Sequence, residues 1–106
     1  MHMVVIKRSI YEQNRNLAVR ICEGFQAAKL AAIEGYEEGL TSLPWVNLDL
    51  EYARQVFGHD FAPYGVKANL ATLEAATVYS YEQGLTPRRL DVAEIFAPET
   101  MNLFDG

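Results

Sequence analysis

The sequence predicts a mostly helical fold, with one N-terminal β-strand followed by four or five amphipathic helices. Three observations carry that prediction. Met3–Ile6 is an unbroken apolar run rich in β-branched residues. Val66–Gln83 contains neither Pro nor Gly and repeats its apolar residues at helical spacing. The stretch from Pro63 to Pro98 carries the clearest start and stop signals of the chain.

The strand is expected over residues 3–7, closed by Lys7-Arg8. A run without alternation reads as a strand covered on both faces, as in a parallel α/β sheet. A single strand cannot satisfy its own backbone groups, so residues 3–7 are expected to pair with a second copy about a two-fold axis. A short helix over about 9–13 follows, with Ser9 as cap and Glu12 completing a capping box. Asn14 or Asn16 can cap the next helix, over about 15–38. Its inner face reads Leu17, Ile21, Phe25, Ala28 and Ala32, with Arg15, Arg20, Glu23 and Lys29 elsewhere. Gly24 inside that helix costs roughly 1 kcal/mol relative to Ala, which a close helix crossing could offset.

Thr41–Trp45 reads as a link, because the residue before Pro44 is biased away from helix. Asn47 or Asp49 can cap a helix over about 49–57, with Leu50, Ala53, Val56 and Phe57 inward. Gly58 supplies the left-handed residue after it. The helix over about 66–83 places Val66, Leu70, Leu73 and Thr77 on one face, and Gly84 ends it. Asp91 and Glu94 form a capping box for a last short helix over about 91–96, stopped by Pro98. The 106 residues are expected to form one domain.

Composition removes several function classes. The net charge of −5 disfavours nucleic-acid binding, which needs clustered Lys and Arg. Charge is uneven, at +3 over the first thirty residues and −8 over the rest. The lone Cys22 permits neither an internal disulfide nor a multi-cysteine zinc site. No apolar run approaches the ~18 residues of a membrane span, and Met1-His2 runs straight into a strand-like segment without a signal peptide. A cytoplasmic protein that carries no metal and no cofactor is therefore expected. No Gly-rich phosphate loop, nucleophile elbow or HExxH motif is present.

Several strings nevertheless share an order and spacing: MHMVVIKRSIYE, GFQAAKLAA, DLEYARQVFG-HDFAPYGVKAN and YSYEQGLTPRRLDVAEIFAPET. The most specific are Pro63-Tyr64-Gly65, Glu82-Gln83-Gly84-Leu85 and Phe96-Ala97-Pro98-Glu99-Thr100. Together they resemble the C-terminal third of the 4,5-dihydroxyphthalate decarboxylase family, which is related to type II periplasmic substrate-binding proteins. The resemblance covers nearly the whole chain. It implies a fold like the C-terminal part of a periplasmic-binding-protein-like α/β lobe. It also implies that Met1 corresponds to an internal methionine, with roughly the first two thirds of a two-lobed protein absent. Near Asn14-Arg15-Asn16 the chain departs from the family, where a Pro-Trp pair is expected.

Four residues are candidates for a ligand site. His2, beside the strand, could bind a carboxylate or transfer a proton in a cleft. Tyr64 is a ligand contact or, more plainly, a packing aromatic. Arg88 and Arg89 could fork onto a dicarboxylate, or pair with Glu82, Asp91 or Glu94. His59 and Asp60 are sequence neighbours in a loop and read as solvated. The resemblance implies decarboxylation of an aromatic dicarboxylate. That chemistry needs an electron sink or a placed acid, with cations for the retained carboxylate, and the sequence shows no complete constellation of this kind. Two other readings stand beside it: a substrate-binding-protein-like module for a small anionic molecule, and a non-catalytic oligomerisation domain. The expected partners are a second copy, a separately encoded N-terminal portion, or a small aromatic acid.

Overall fold

The computed structural model describes residues 2–39 and 42–104. Met1, Leu40, Thr41, Asp105 and Gly106 lie outside the described residues, and with them the start of the expected 41–45 link. The described chain is helical, with α1 (Arg8–Gln13), α2 (Asn16–Glu37), α3 (Val46–Phe57), α4 (Leu70–Glu82) and α5 (Val92–Ile95). A 3-10 turn, Lys67–Asn69, leads into α4, and another, Pro98–Thr100, follows α5.

The expected N-terminal strand is not formed, and no β-strand occurs among the described residues. The fold is mostly α, without the sheet of an α/β lobe. Residues 2–7 precede α1 without regular structure, and Val5 is 88% exposed. The physical reason is partnership. Apolar, β-branched residues favour extended backbone, but a strand exists only where a neighbour takes its N–H and C=O groups. Lys7 keeps the extended conformation (φ −60°, ψ 128°) and serves as the N-cap of α1. Its carbonyl accepts the N–H groups of Ile10 and Tyr11 at 3.0 and 3.1 Å. Ser9 therefore sits inside the helix rather than capping it.

The described residues divide into two compact units, one reaching to Cys22 and resuming at Tyr64, the other Glu23–Pro63. α2 contributes to both.

In the first unit the core is built by Val66, Leu73 and Val92, with Phe96 and Met101 packed against them. Burial of each Val or Leu contributes about 1.5–3 kcal/mol. Thr77 shares the buried face of α4, and its hydroxyl donates to the Glu74 carbonyl at 2.8 Å. This bond removes the cost of leaving a buried hydroxyl unpaired. Gly84 closes α4 at φ +71°, and the N–H of Leu85 returns to the Ser80 carbonyl at 2.9 Å. The Asp91 capping box forms: the Asp91 side chain accepts from Ala93 N–H at 2.9 Å, while Glu94 accepts from Asp91 N–H at 3.1 Å.

In the second unit Leu50 is the buried residue of α3. Val56 and Phe57, expected inward, are exposed instead. Lys29 points inward, with a side chain only 7% exposed. Its ammonium donates to Asp60 Oδ2 at 2.8 Å and to the Ala62 carbonyl at 3.1 Å. Arg54 pairs with Glu37. No helix among the described residues is long and apolar enough to cross a membrane.

Candidate functional site

A groove that includes one of the four ligand-site candidates lies in the first unit, beside α4 and α5. It encloses about 350 Å³ and is lined by polar residues Glu74, Thr77, Arg89 and Asp91 over apolar Leu70, Val92 and Met101. Local sequence places each of these. Glu74 and Thr77 follow one another by three on α4 and so share a face. Asp91 is held at the groove edge by its capping role. Arg89 arrives from the segment between Pro87 and the cap.

The four ligand-site candidates do not converge there. Arg89 lines the groove. Arg88 is taken by Glu94 through two bonds, Nη1 to Oε2 at 2.8 Å and Nη2 to Oε1 at 3.1 Å. The Arg88 hydrogen bonds and the Asp91 N–H together hold the Glu94 carboxyl below its ordinary range. Arg88 is thus an extension of the helix cap, the plainer of its two readings. Its Nη1 also reaches the Arg89 carbonyl at 3.3 Å. Tyr64 stands just before the turn at Gly65 and is partly exposed. His2 is exposed in the segment before α1.

A second cluster in the same unit was not legible beforehand. Tyr11 of α1 donates its hydroxyl to Glu99 Oε2 at 2.5 Å, across 88 positions of sequence. Arg15 approaches the other oxygen, Glu99 Oε1, at 3.6 Å, and its guanidinium lies 5.5 Å from the centroid of the Tyr11 ring. The Tyr11 hydrogen bond holds the Glu99 carboxyl below its ordinary range. The same bond raises the Tyr11 phenol above its ordinary value. The cluster ties α1 to the Phe96–Thr100 motif. No local spacing signals such a contact.

Groove chemistry follows from its charges. Its lining includes one arginine, Arg89, and two acidic residues, Glu74 and Asp91. A dicarboxylate entering this groove meets net negative charge, so the groove does not supply the cationic clamp that an aromatic diacid requires. Among the described residues no group of three or more His, Cys, Asp or Glu side chains could hold a metal ion.

The chain is similar to a decarboxylase. It is 27% identical over 107 residues to a 4,5-dihydroxyphthalate decarboxylase of Comamonas testosteroni. The match covers 98% of this chain and 32% of that protein, so the chain spans about a third of the length of the curated relative it matches. No family model matches the chain. No solved structure matches it.

Proposed function

We propose that this chain is a decarboxylase-like portion of a larger carboxy-lyase. It acts on an aromatic dicarboxylate only together with polypeptide equivalent to the remaining two thirds of its relative. The observation that carries this reading is the alignment, which runs through 98% of the chain but engages only 32% of the decarboxylase. The groove supports it from the other side. Arg89 can contribute one fork to a bound carboxylate, but Glu74 and Asp91 beside it must be offset by cations from elsewhere.

The reading is tested by a chimera in which this chain replaces the matching third of the Comamonas testosteroni enzyme. A folded chimera that releases carbon dioxide from 4,5-dihydroxyphthalate supports it. A folded chimera that binds the diacid but never turns it over overturns it. The module for a small anionic ligand is disfavoured by the groove's net charge. It predicts a rise in melting temperature of the isolated chain with aromatic acids, because a ligand of the folded state stabilises it by mass action.

A further inference from the structure

Helix α1 is tied to its unit by very little. None of its six residues is buried, and Ile10 is 47% exposed. Residues 2–5 before it are exposed as well, while Ile6 and Tyr11 are half-buried. The backbone bonds of α1 close on themselves: Ile10 and Tyr11 donate back to the Lys7 carbonyl, and the Asn14 N–H returns to the Ile10 and Tyr11 carbonyls. The ladder of α2 starts afresh, with Leu17 donating to Asn14 and Ala18 to Arg15. Asn14, at the joint, is non-helical, at φ −151° and ψ 86°. Among the described residues, one hydrogen bond carries residues 2–13 past Arg15, from the Tyr11 hydroxyl to Glu99.

Glu99 stands on a fixed post. The turn Pro98–Thr100 that carries it is held by two bonds to the Ala97 carbonyl, from the Thr100 N–H at 2.9 Å and the Thr100 hydroxyl at 2.8 Å. Thr100 is buried, and Met101 packs on the core of Val66, Leu73 and Val92. The Glu99 carboxylate spans the joint between the two helices. Its Oε2 takes Tyr11 of α1, and its Oε1 lies 3.6 Å from Arg15, just before α2.

We infer that α1, with residues 2–7 attached, is an arm that opens at Asn14 and is latched closed by Glu99, while the core of its unit stays folded. Two arguments make the opening local. It draws no buried side chain of α1 into water, only the half-buried Ile6 and Tyr11, so the apolar surface it uncovers on the arm is small. A six-residue helix also lies far below the about 12–15 residues that an isolated helix needs, so α1 melts once Tyr11 lets go. Breaking one polar fastening thus converts residues 2–13 from a docked helix into a flexible lead. Segments with few buried contacts form the low-stability end of a fold, from which moving parts are drawn. The arm owes nothing to the decarboxylase reading.

The test is native-state hydrogen exchange of the whole chain, for the natural sequence and for Tyr11→Phe. In the natural chain the amides of Ile10 and Asn14 are expected to exchange faster than those of Leu73 and Thr77 on α4. Tyr11→Phe should speed Ile10 and Asn14 about threefold or more and leave Leu73 and Thr77 unchanged. Subdenaturing urea should do the reverse, since it acts on the opening that exposes much surface. If all four amides respond together to the substitution or to urea, α1 unfolds only with the core and the inference is overturned. It is overturned equally if Tyr11→Phe leaves Ile10 and Asn14 unchanged, because Glu99 is then no latch.

Discussion

Gly65 and Leu103 approach so closely that a β-carbon on Gly65 would stand 2.7 Å from the Leu103 carbonyl oxygen. Gly65 also holds φ +102°, a conformation that side chains resist. Two independent constraints therefore demand glycine at the turn that opens the core segment, immediately before buried Val66.

Gly65→Ala is expected to destabilise the fold by about 1–3 kcal/mol, since both the backbone and the Leu103 segment must shift. Urea denaturation should show a lower midpoint with an unchanged slope. Gly24→Ala has the opposite sign. A Cβ at Gly24 meets nothing within 4 Å, so among the described residues no close helix crossing uses that glycine. The substitution should stabilise by roughly 0.5–1 kcal/mol through helix propensity.

Asp91→Ala removes the side-chain cap of α5, releasing the Ala93 N–H. The expected cost is about 1 kcal/mol, and Asp91→Ser should restore most of it. Thermal melts of the two variants separate a capping loss from a loss of groove charge, because serine caps without a charge.

Lys29→Met keeps the stem but deletes the ammonium that binds Asp60 and the Ala62 carbonyl. Burial pushes the Asp60 carboxyl up, but the Lys29 and Ala62 hydrogen bonds outweigh it and hold the group below its ordinary value. Losing charge-assisted bonds of this kind costs about 1.5–3 kcal/mol each when both partners are buried, and Asp60 is partly solvated, so about 1 kcal/mol is expected. Hydrogen exchange of the Ala62 amide should accelerate in the variant, since Asp60 Oδ1 now holds it at 3.2 Å.

The Tyr11–Glu99 bond gives stability a pH dependence at both ends. Glu99 is lowered in the folded state, so its contribution is complete above its ordinary value and is lost as pH falls through the lowered one. Tyr11 is raised, so its contribution is complete below its ordinary value near 10 and is lost as pH rises through the raised one. Solvent screening keeps both effects small. Tyr11→Phe should flatten both limbs of the melting temperature against pH, and unchanged limbs would assign the dependence to other groups.

Helix punctuation was legible only where it is local and unambiguous. Asp91 and Glu94 lie three apart and form their box, and Gly84 ends α4 at positive φ, whereas the caps expected at Ser9 and at Asn47 or Asp49 fall to Lys7 and Trp45, and Gly58 ends α3 at φ +85°, ψ −168°, outside the left-handed helical region. The predominance of helix followed from the same spacing. The strand at residues 3–7 was misread because β-branched composition reports a preference for extended backbone, and pairing is a property of neighbours. The inward pointing of Lys29 and the exposure of Val56 and Phe57 on α3 were illegible for a related reason. An amphipathic pattern shows which residues are apolar, not which of them are covered. The contacts divided in the same way: Arg89, singled out as a cation near a helix start, lines the groove, whereas the Tyr11–Glu99 contact depends on tertiary placement alone.

The most direct test is carbon dioxide release from 4,5-dihydroxyphthalate by the purified chain without any added polypeptide. A rate indistinguishable from buffer is predicted, because a groove lined by one arginine and two acidic residues lacks the cations to clamp a diacid. Saturable turnover that scales with protein concentration and disappears in Arg89→Ala would contradict the account, showing that this third of the decarboxylase length is catalytically sufficient.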